Sequence, residues 1–103
     1  MILHIATFTW KDDVTDQDIA DLTAALMQMA ADIPELRSYA AGTNLHLRPG
    51  GADYGVGAIV DDAAALDTYL EHPAHKAVYA DFLGRMLAER SAVQLPLTAG
   101  SFA

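Results

Sequence analysis

The stretch Met1-Ile-Leu-His-Ile-Ala-Thr-Phe-Thr-Trp10 decides the fold, because it has the composition of a strand buried on both faces. It is rich in β-branched and aromatic residues and contains neither Gly nor Pro. Alternate residues of a strand point to opposite faces, and both faces of this stretch are largely apolar. The stretch therefore predicts a central strand of a sheet, with His4 on one of its two covered faces.

A helix is predicted to follow this strand. Thr15-Asp-Gln-Asp18 resembles a capping box with an acidic third residue, and Pro34 is expected to end the helix. Five apolar residues at helical spacing predict one buried stripe. They are Ile19, Leu22, Leu26, Met29 and Ile33.

The remaining elements follow from strand-like and helix-like stretches separated by Pro and Gly. Arg48-Pro-Gly-Gly51 is the strongest turn signal of the chain, Asp61 or Asp62 is a suitable helix cap, and Pro73 interrupts a helical stretch. The pattern predicts strands at residues 36–44, 54–60 and 92–97, helices at residues 63–70 and 75–89, a loop at residues 45–52 and a loose tail at residues 98–103.

The predicted order β-α-β-β-α-α-β is that of an α+β, ferredoxin-like protomer with a four-stranded antiparallel sheet. In this plan the helices cover one face of the sheet. The other face is apolar as well, as strands one and three show, and it needs burial. The simplest solution is a second copy of the chain, so the sequence predicts a homodimer in which two sheets face each other as a barrel.

Composition restricts the classes of function. The 103 residues fit a single domain, predicted to have its core at residues 1–97. The net charge of −8 argues against nucleic acid and anionic membranes as partners, and no apolar run reaches the length of a membrane span. The apolar start lacks the charge pattern of a signal peptide. The absence of cysteine excludes thiol catalysis and disulfides, and we expect a cytoplasmic protein.

Several motifs in this order resemble the stress-responsive A/B barrel family, also called Dabb or dimeric α/β barrel proteins. The resemblance extends over roughly residues 1–97, and it implies the ferredoxin-like protomer and the dimeric barrel predicted above. The most specific part is the helix break His72-Pro-Ala-His75. The motifs are His4 on the opening strand, Ile33-Pro-Glu-Leu36-Arg37-Ser38, Gly42-Thr-Asn44 and Tyr69-Leu-Glu-His72-Pro-Ala-His75.

The resemblance also implies candidate site residues, since some relatives are polyketide cyclases that perform acid–base aldol chemistry without a cofactor. The catalytic pair of such a cyclase corresponds to Tyr69 and His75, and His4 would line the same pocket. The substrate-binding positions implied are Tyr54, where the cyclase carries a further histidine, and Val56, Leu26 and Met86. Tyr54, Leu26 and Met86 differ from the cyclase's histidine and pocket aromatics, so a different substrate is expected.

The residue types support this chemistry independently of the resemblance. A neutral imidazole such as His75 accepts a proton near pH 7, and a phenol such as Tyr69 can orient or protonate a carbonyl oxygen. His4 lies on a strand and His75 beside a helix, so the two can meet only between the helices and the sheet. The structural alternative is that His75 opens the last helix and that Tyr69 and His4 are packing residues.

Other candidate groups receive structural interpretations. His72 is expected at the helix junction and His46 on the surface. His72 and His75 could share a metal ion, but no third ligand is evident, so neither a metal site nor a cofactor is predicted.

Three functions remain open at this point. The first is a cofactor-independent cyclase, isomerase or lyase that acts on a small apolar carbonyl or aromatic compound. The second is a non-catalytic dimer that binds a ligand or protects against stress. The third is a purely structural association module.

Overall fold

The computed structural model describes residues 1–98, and the predicted tail from residue 99 onward lies outside the described residues. The elements are β1 (Ile2–Trp10), α1 (Asp16–Asp32), β2 (Ser38–Thr43), β3 (Tyr54–Val60), α2 (Ala63–Glu71), α3 (Pro73–Val78) and β4 (Leu87–Pro96). Between α3 and β4 the chain continues through a π-helical turn (Tyr79–Leu83) and a last helical segment (Gly84–Met86). Together α3, the π turn and Gly84–Met86 are called the last helix below.

The four strands form one antiparallel sheet in the order β2-β3-β1-β4, which places β1 at its centre. This is the predicted ferredoxin-like arrangement. The loop between β2 and β3 turns at Gly50 and Gly51, whose positive φ angles of 84° and 89° favour glycine.

The first helix begins and ends where the sequence predicts. The Thr15 hydroxyl accepts a hydrogen bond from the Asp18 amide, and the Asp18 carboxylate accepts one from the Thr15 amide. Within the predicted apolar stripe, Ile19 is half-buried, and the other four residues are at most 3% exposed: Leu22, Leu26, Met29 and Ile33.

The prediction for the end of the chain was wrong in its boundaries. The last helix begins at Pro73 rather than at residue 75, because proline is well suited to the first helical turn and the His72 ring accepts a hydrogen bond from the Ala74 amide. It ends at Met86 rather than at residue 89, and β4 begins at Leu87 rather than at residue 92. Pairing with β1 makes residues 87–91 a strand.

The two faces of the sheet differ in their cover. The core lies on the helix side, where His4, Ala6 and Phe8 of β1 are at most 4% exposed. The outward face carries Leu3 and Ile5 of β1 opposite Leu95 and Val93 of β4. Val93 is 48% and Leu95 43% exposed in the single chain, so an apolar sheet face is left open, as predicted.

Candidate functional site

A cavity of about 140 Å³ lies between the helices and the sheet. Its floor consists of residues from all four strands, and its roof consists of residues from the helices. The floor residues are His4, Ala6, Phe8, Tyr39, Val56 and Arg90, and the roof residues are Leu26, Tyr69, His75, Tyr79 and Leu83. Strand and helix residues therefore meet in the layer where the sequence predicts a pocket.

Five of the seven expected site residues lie together in the wall of this cavity: His4, Tyr69, His75, Leu26 and Val56. The other two, Tyr54 and Met86, are not among the described residues that line it, and their assignment as substrate-binding positions stays a prediction. Both are fully buried in the core, and the Tyr54 hydroxyl lies 2.7 Å from that of Thr23 on α1. In the single chain both side chains belong to the hydrophobic core cluster.

Tyr69, near the end of α2, is at the centre of a group of rings in this wall. Its ring centroid lies 5.1 Å from that of His75, 6.2 Å from that of His4 and 6.4 Å from that of Tyr39. All three contacts are edge-to-face, an arrangement that favours tight aromatic packing. An imidazole from the sheet and one from the helices thus contact the same phenol.

His4 is buried to 3% exposure on the helix side of β1, and its Nδ1 atom lies 2.9 Å from the amide nitrogen of Gln94 on β4. An amide nitrogen can only donate, so Nδ1 accepts and the proton of the neutral ring is on Nε2. Burial lowers the pKa of His4, and the positive charges of Arg90 and of a protonated His75 lower it further. His4 is therefore a neutral imidazole at pH 7.

His75 lies in the first turn of α3, beyond the break that Pro73 makes after α2. Burial lowers its pKa, and Arg90 acts in the same direction. A hydrogen bond to the backbone of Leu70 and the charge of Glu71 oppose this shift without reversing it. His75 is thus also neutral at pH 7, and it is only half-buried, so a ligand can reach it.

Two of the phenols in the wall, Tyr69 and Tyr39, remain protonated. Burial raises the pKa of Tyr69, while the nearby Tyr39 hydroxyl and Arg90 moderate the rise. Burial also raises the pKa of Tyr39, and its hydroxyl oxygen is shielded from solvent without a hydrogen-bond partner of ordinary geometry among the described residues. A protonated phenol beside the neutral His75 combines a proton donor with a proton acceptor, and the Nε2–H of His4 adds a second donor.

The π turn supplies two roof residues, Tyr79 and Leu83, whose helical spacing is compatible with an inward-facing position. The Gly84 amide donates to the Tyr79 carbonyl five residues earlier, which is the bond that defines the turn. A Cβ atom at Gly84 would lie 3.2 Å from that carbonyl oxygen. Glycine at this position therefore avoids a close contact with the carbonyl that closes the turn.

Arg90 and Tyr39 are the polar wall residues that sequence reasoning missed. The sequence predicts neither a helix nor a strand at Arg90, and it predicts a strand at Tyr39 without indicating which face the side chain occupies. The signal in both cases is strand alternation, since Arg90 pairs with Phe8 and Tyr39 with Ala58, both on the helix side.

Two further features concern metals and membranes. Within residues 1–98, no three His, Cys, Asp or Glu side chains are grouped so that they could hold a metal ion. In the same part of the chain, no helix has the length and apolar character that crossing a membrane requires.

Comparison with known proteins extends these observations. An uncharacterized protein of Streptomyces coelicolor, SCO4036, is 37% identical over 79 residues, which are 75% of this chain and 81% of that protein. A dimeric ferredoxin-like protein of unknown function from Thermobifida fusca YX is 42% identical in sequence. Its crystal structure has a TM-score of 0.87, and the match covers 93% of this chain and 90% of that one.

A more distant structure, the hydroxynitrile lyase of Passiflora edulis, shares the fold with a TM-score of 0.82 at 14% identity, covering 97% of this chain and 95% of that one. The family described as the stress-responsive A/B barrel domain matches residues 2–95. The chain belongs to the stress-responsive A/B barrel family.

Proposed function

We propose that this protein is a cofactor-independent acid–base enzyme that acts on a small apolar carbonyl or aromatic compound. The observation that carries the proposal is the convergence of two neutral imidazoles and one protonated phenol on a single, largely apolar cavity. General acid–base catalysis needs a base that is unprotonated at working pH and a donor within reach of the developing oxyanion.

In this proposal His75 is the general base, because it is neutral and the more accessible of the two histidines. Tyr69 donates a hydrogen bond to the carbonyl oxygen of the substrate, and His4 supports the site from the floor. A base on one side and a donor on the other suit removal of a proton α to a carbonyl, a step shared by cyclases, isomerases and lyases. The lyase from Passiflora edulis shows that one protein with this fold is an enzyme.

Exchange of α-protons with D₂O tests the proposal without knowledge of the natural substrate. Small aryl ketones and aryl β-keto esters are incubated with the protein in D₂O, and loss of the α-proton signal is followed by NMR. His75→Gln and Tyr69→Phe should each slow exchange by roughly 10²–10⁴-fold, the usual contribution of a positioned acid or base. His46→Gln is the matched control, because His46 lies in the exposed loop before Gly50.

Equal exchange rates for wild type, His75→Gln and His46→Gln would refute the enzyme proposal. The second candidate, a non-catalytic ligand-binding or protective dimer, would then be favoured, since the cavity itself would remain. Circular dichroism of each variant separates loss of chemistry from loss of fold.

We further propose that two copies pair through the outward faces of their sheets. Val93 and Leu95 leave apolar surface open, and the related structure from Thermobifida fusca is described as dimeric. Light scattering at micromolar concentration should give a dimer for wild type and a monomer for Val93→Glu. Leu47→Glu is the matched control, because Leu47 is 77% exposed in the loop between β2 and β3. A monomeric wild type would contradict the pairing.

A further inference from the structure

The cavity wall has an unusual charge for this protein. The chain carries fourteen acidic and six basic residues, yet no carboxylate is among the described residues that line the cavity. With His4 and His75 neutral, Arg90 is the one residue with a formal charge at pH 7 among the described residues that line the cavity. A strongly acidic protein therefore presents a positive charge to whatever enters its cavity.

The position of Arg90 follows from strand register. Arg90 of β4 is the cross-strand partner of Phe8, whose side chain is buried on the helix side. Residues directly opposite in an antiparallel pair share a face, so the Arg90 side chain also extends to the helix side. Arg90 lines the same cavity as His4, His75 and Tyr69, and its positive charge acts to lower the pKa of all three groups.

Arg90 has no carboxylate within 4.0 Å in residues 1–98, whereas three other cations do. Arg37 pairs with Asp61, Lys76 with Glu71, and Arg85 with Asp18. The guanidinium of Arg90 lies beside a largely apolar cavity and has no ion-pair partner in the described chain. Its planar, forked set of N–H donors matches a planar anion such as a carboxylate in shape and charge.

We propose that Arg90 binds a carboxylate of the cavity's ligand, whose apolar body lies between Phe8, Leu26 and Val56. The substrate class is thus a small aromatic or cyclic carboxylic acid. The claim that this ligand is a substrate rests on the proposed function, whereas its binding does not depend on turnover. The volume agrees, since about 140 Å³ is close to the roughly 150 Å³ of an apolar cavity that holds benzene.

Paired probes that differ in charge but hardly in shape test the inference. Benzoate and phenylacetate are compared with benzamide and phenylacetamide, and binding is read from the NMR shifts of the His4 and His75 side chains. Of benzoate and phenylacetate, the one that wild type binds more tightly should bind about 10-fold more tightly than the corresponding amide. This factor is in the range expected for a charge-assisted hydrogen bond. Arg90→Gln should lose this preference.

Arg48→Gln is the matched control, because it removes the same charge from an exposed loop where the guanidinium contacts the Leu47 carbonyl. It should keep the wild-type preference. The inference is overturned if carboxylate and amide bind wild type alike, if neither carboxylate binds saturably, or if Arg90→Gln and Arg48→Gln lose affinity equally.

The two proposals fail separately. His75→Gln should still prefer carboxylates, because it keeps Arg90. If wild type prefers carboxylates but does not catalyse proton exchange, this inference stands and the enzyme proposal is refuted. If wild type catalyses exchange but does not prefer carboxylates, the enzyme proposal stands and this inference is refuted.

Discussion

Replacement of Tyr39 by phenylalanine is expected to stabilise the protein. The Tyr39 hydroxyl is buried and lacks a hydrogen-bond partner of ordinary geometry among the described residues. Leaving a buried polar group unsatisfied costs about 1–3 kcal/mol. Deleting the hydroxyl while keeping the ring removes this cost, so the free energy of unfolding should rise by about 1 kcal/mol.

Tyr54→Phe is the control, because it makes the same chemical change at a satisfied hydroxyl. The Thr23 hydroxyl donates to the Ile19 carbonyl at 2.9 Å, so the Tyr54 hydroxyl must be the donor in its 2.7 Å contact with Thr23. Deleting that bond should lower the free energy of unfolding by about 1 kcal/mol. The two Tyr→Phe variants therefore shift stability in opposite directions.

Thermal unfolding at one fixed protein concentration measures the difference, and equal concentrations matter because dimerisation shifts the apparent stability. For a domain of this size, 1 kcal/mol corresponds to about 4–8 °C in Tm. Tyr39→Phe should melt above wild type and Tyr54→Phe below it. If Tyr39→Phe melts as low as Tyr54→Phe, the Tyr39 hydroxyl makes a stabilising bond, with Tyr69 as its nearest candidate, and the reasoning is refuted.

Three further predictions concern a helix cap, two histidines and a hydrogen bond. Thr15→Ala should lower the free energy of unfolding by about 1 kcal/mol in urea titrations, because the Asp18 amide loses its acceptor. The pKa values of His4 and His75 are lowered in the fold, so the unfolded chain binds protons first. Stability should be full above the unfolded pKa of about 6.5 and fall as pH decreases through it; a flat profile from pH 7 to 5 would contradict this. Gln94→Leu should remove the hydrogen bond that holds His4 in the Nε2–H tautomer. The ¹⁵N NMR shifts of the imidazole ring report the tautomer, and unchanged shifts would show that Gln94 does not select the Nε2–H form.

Local sequence signals predicted most of the fold. The capping box, the apolar stripe of α1 and the limits of β3 are set by neighbouring residues, and the structure confirms them. The end of the last helix was predicted three residues too late because residues 87–89 contain good helix formers. Their strand conformation comes from pairing with β1, a contact with residues almost eighty positions earlier in the chain.

The candidate site was predicted less completely. The meeting of His4, Tyr69 and His75 in one layer followed from their elements and from the family resemblance. Tyr54 was expected in the pocket, and in the single chain it lies in the core, where its hydroxyl reaches Thr23. Arg90 was missed because the face of an edge strand depends on its register, and the register was unknown.

The amino-acid sequence by itself determined the order of the elements, the apolar character of both sheet faces and the chemical types of the site residues. These properties depend on spacing, capping and turn residues within a few positions of one another. The tertiary structure decided which side chains share the cavity, which hydroxyl lacks a partner and where the positive charge of Arg90 lies. Those properties depend on strand register and on the depth of burial, because a shift of one residue in pairing moves every side chain to the opposite face.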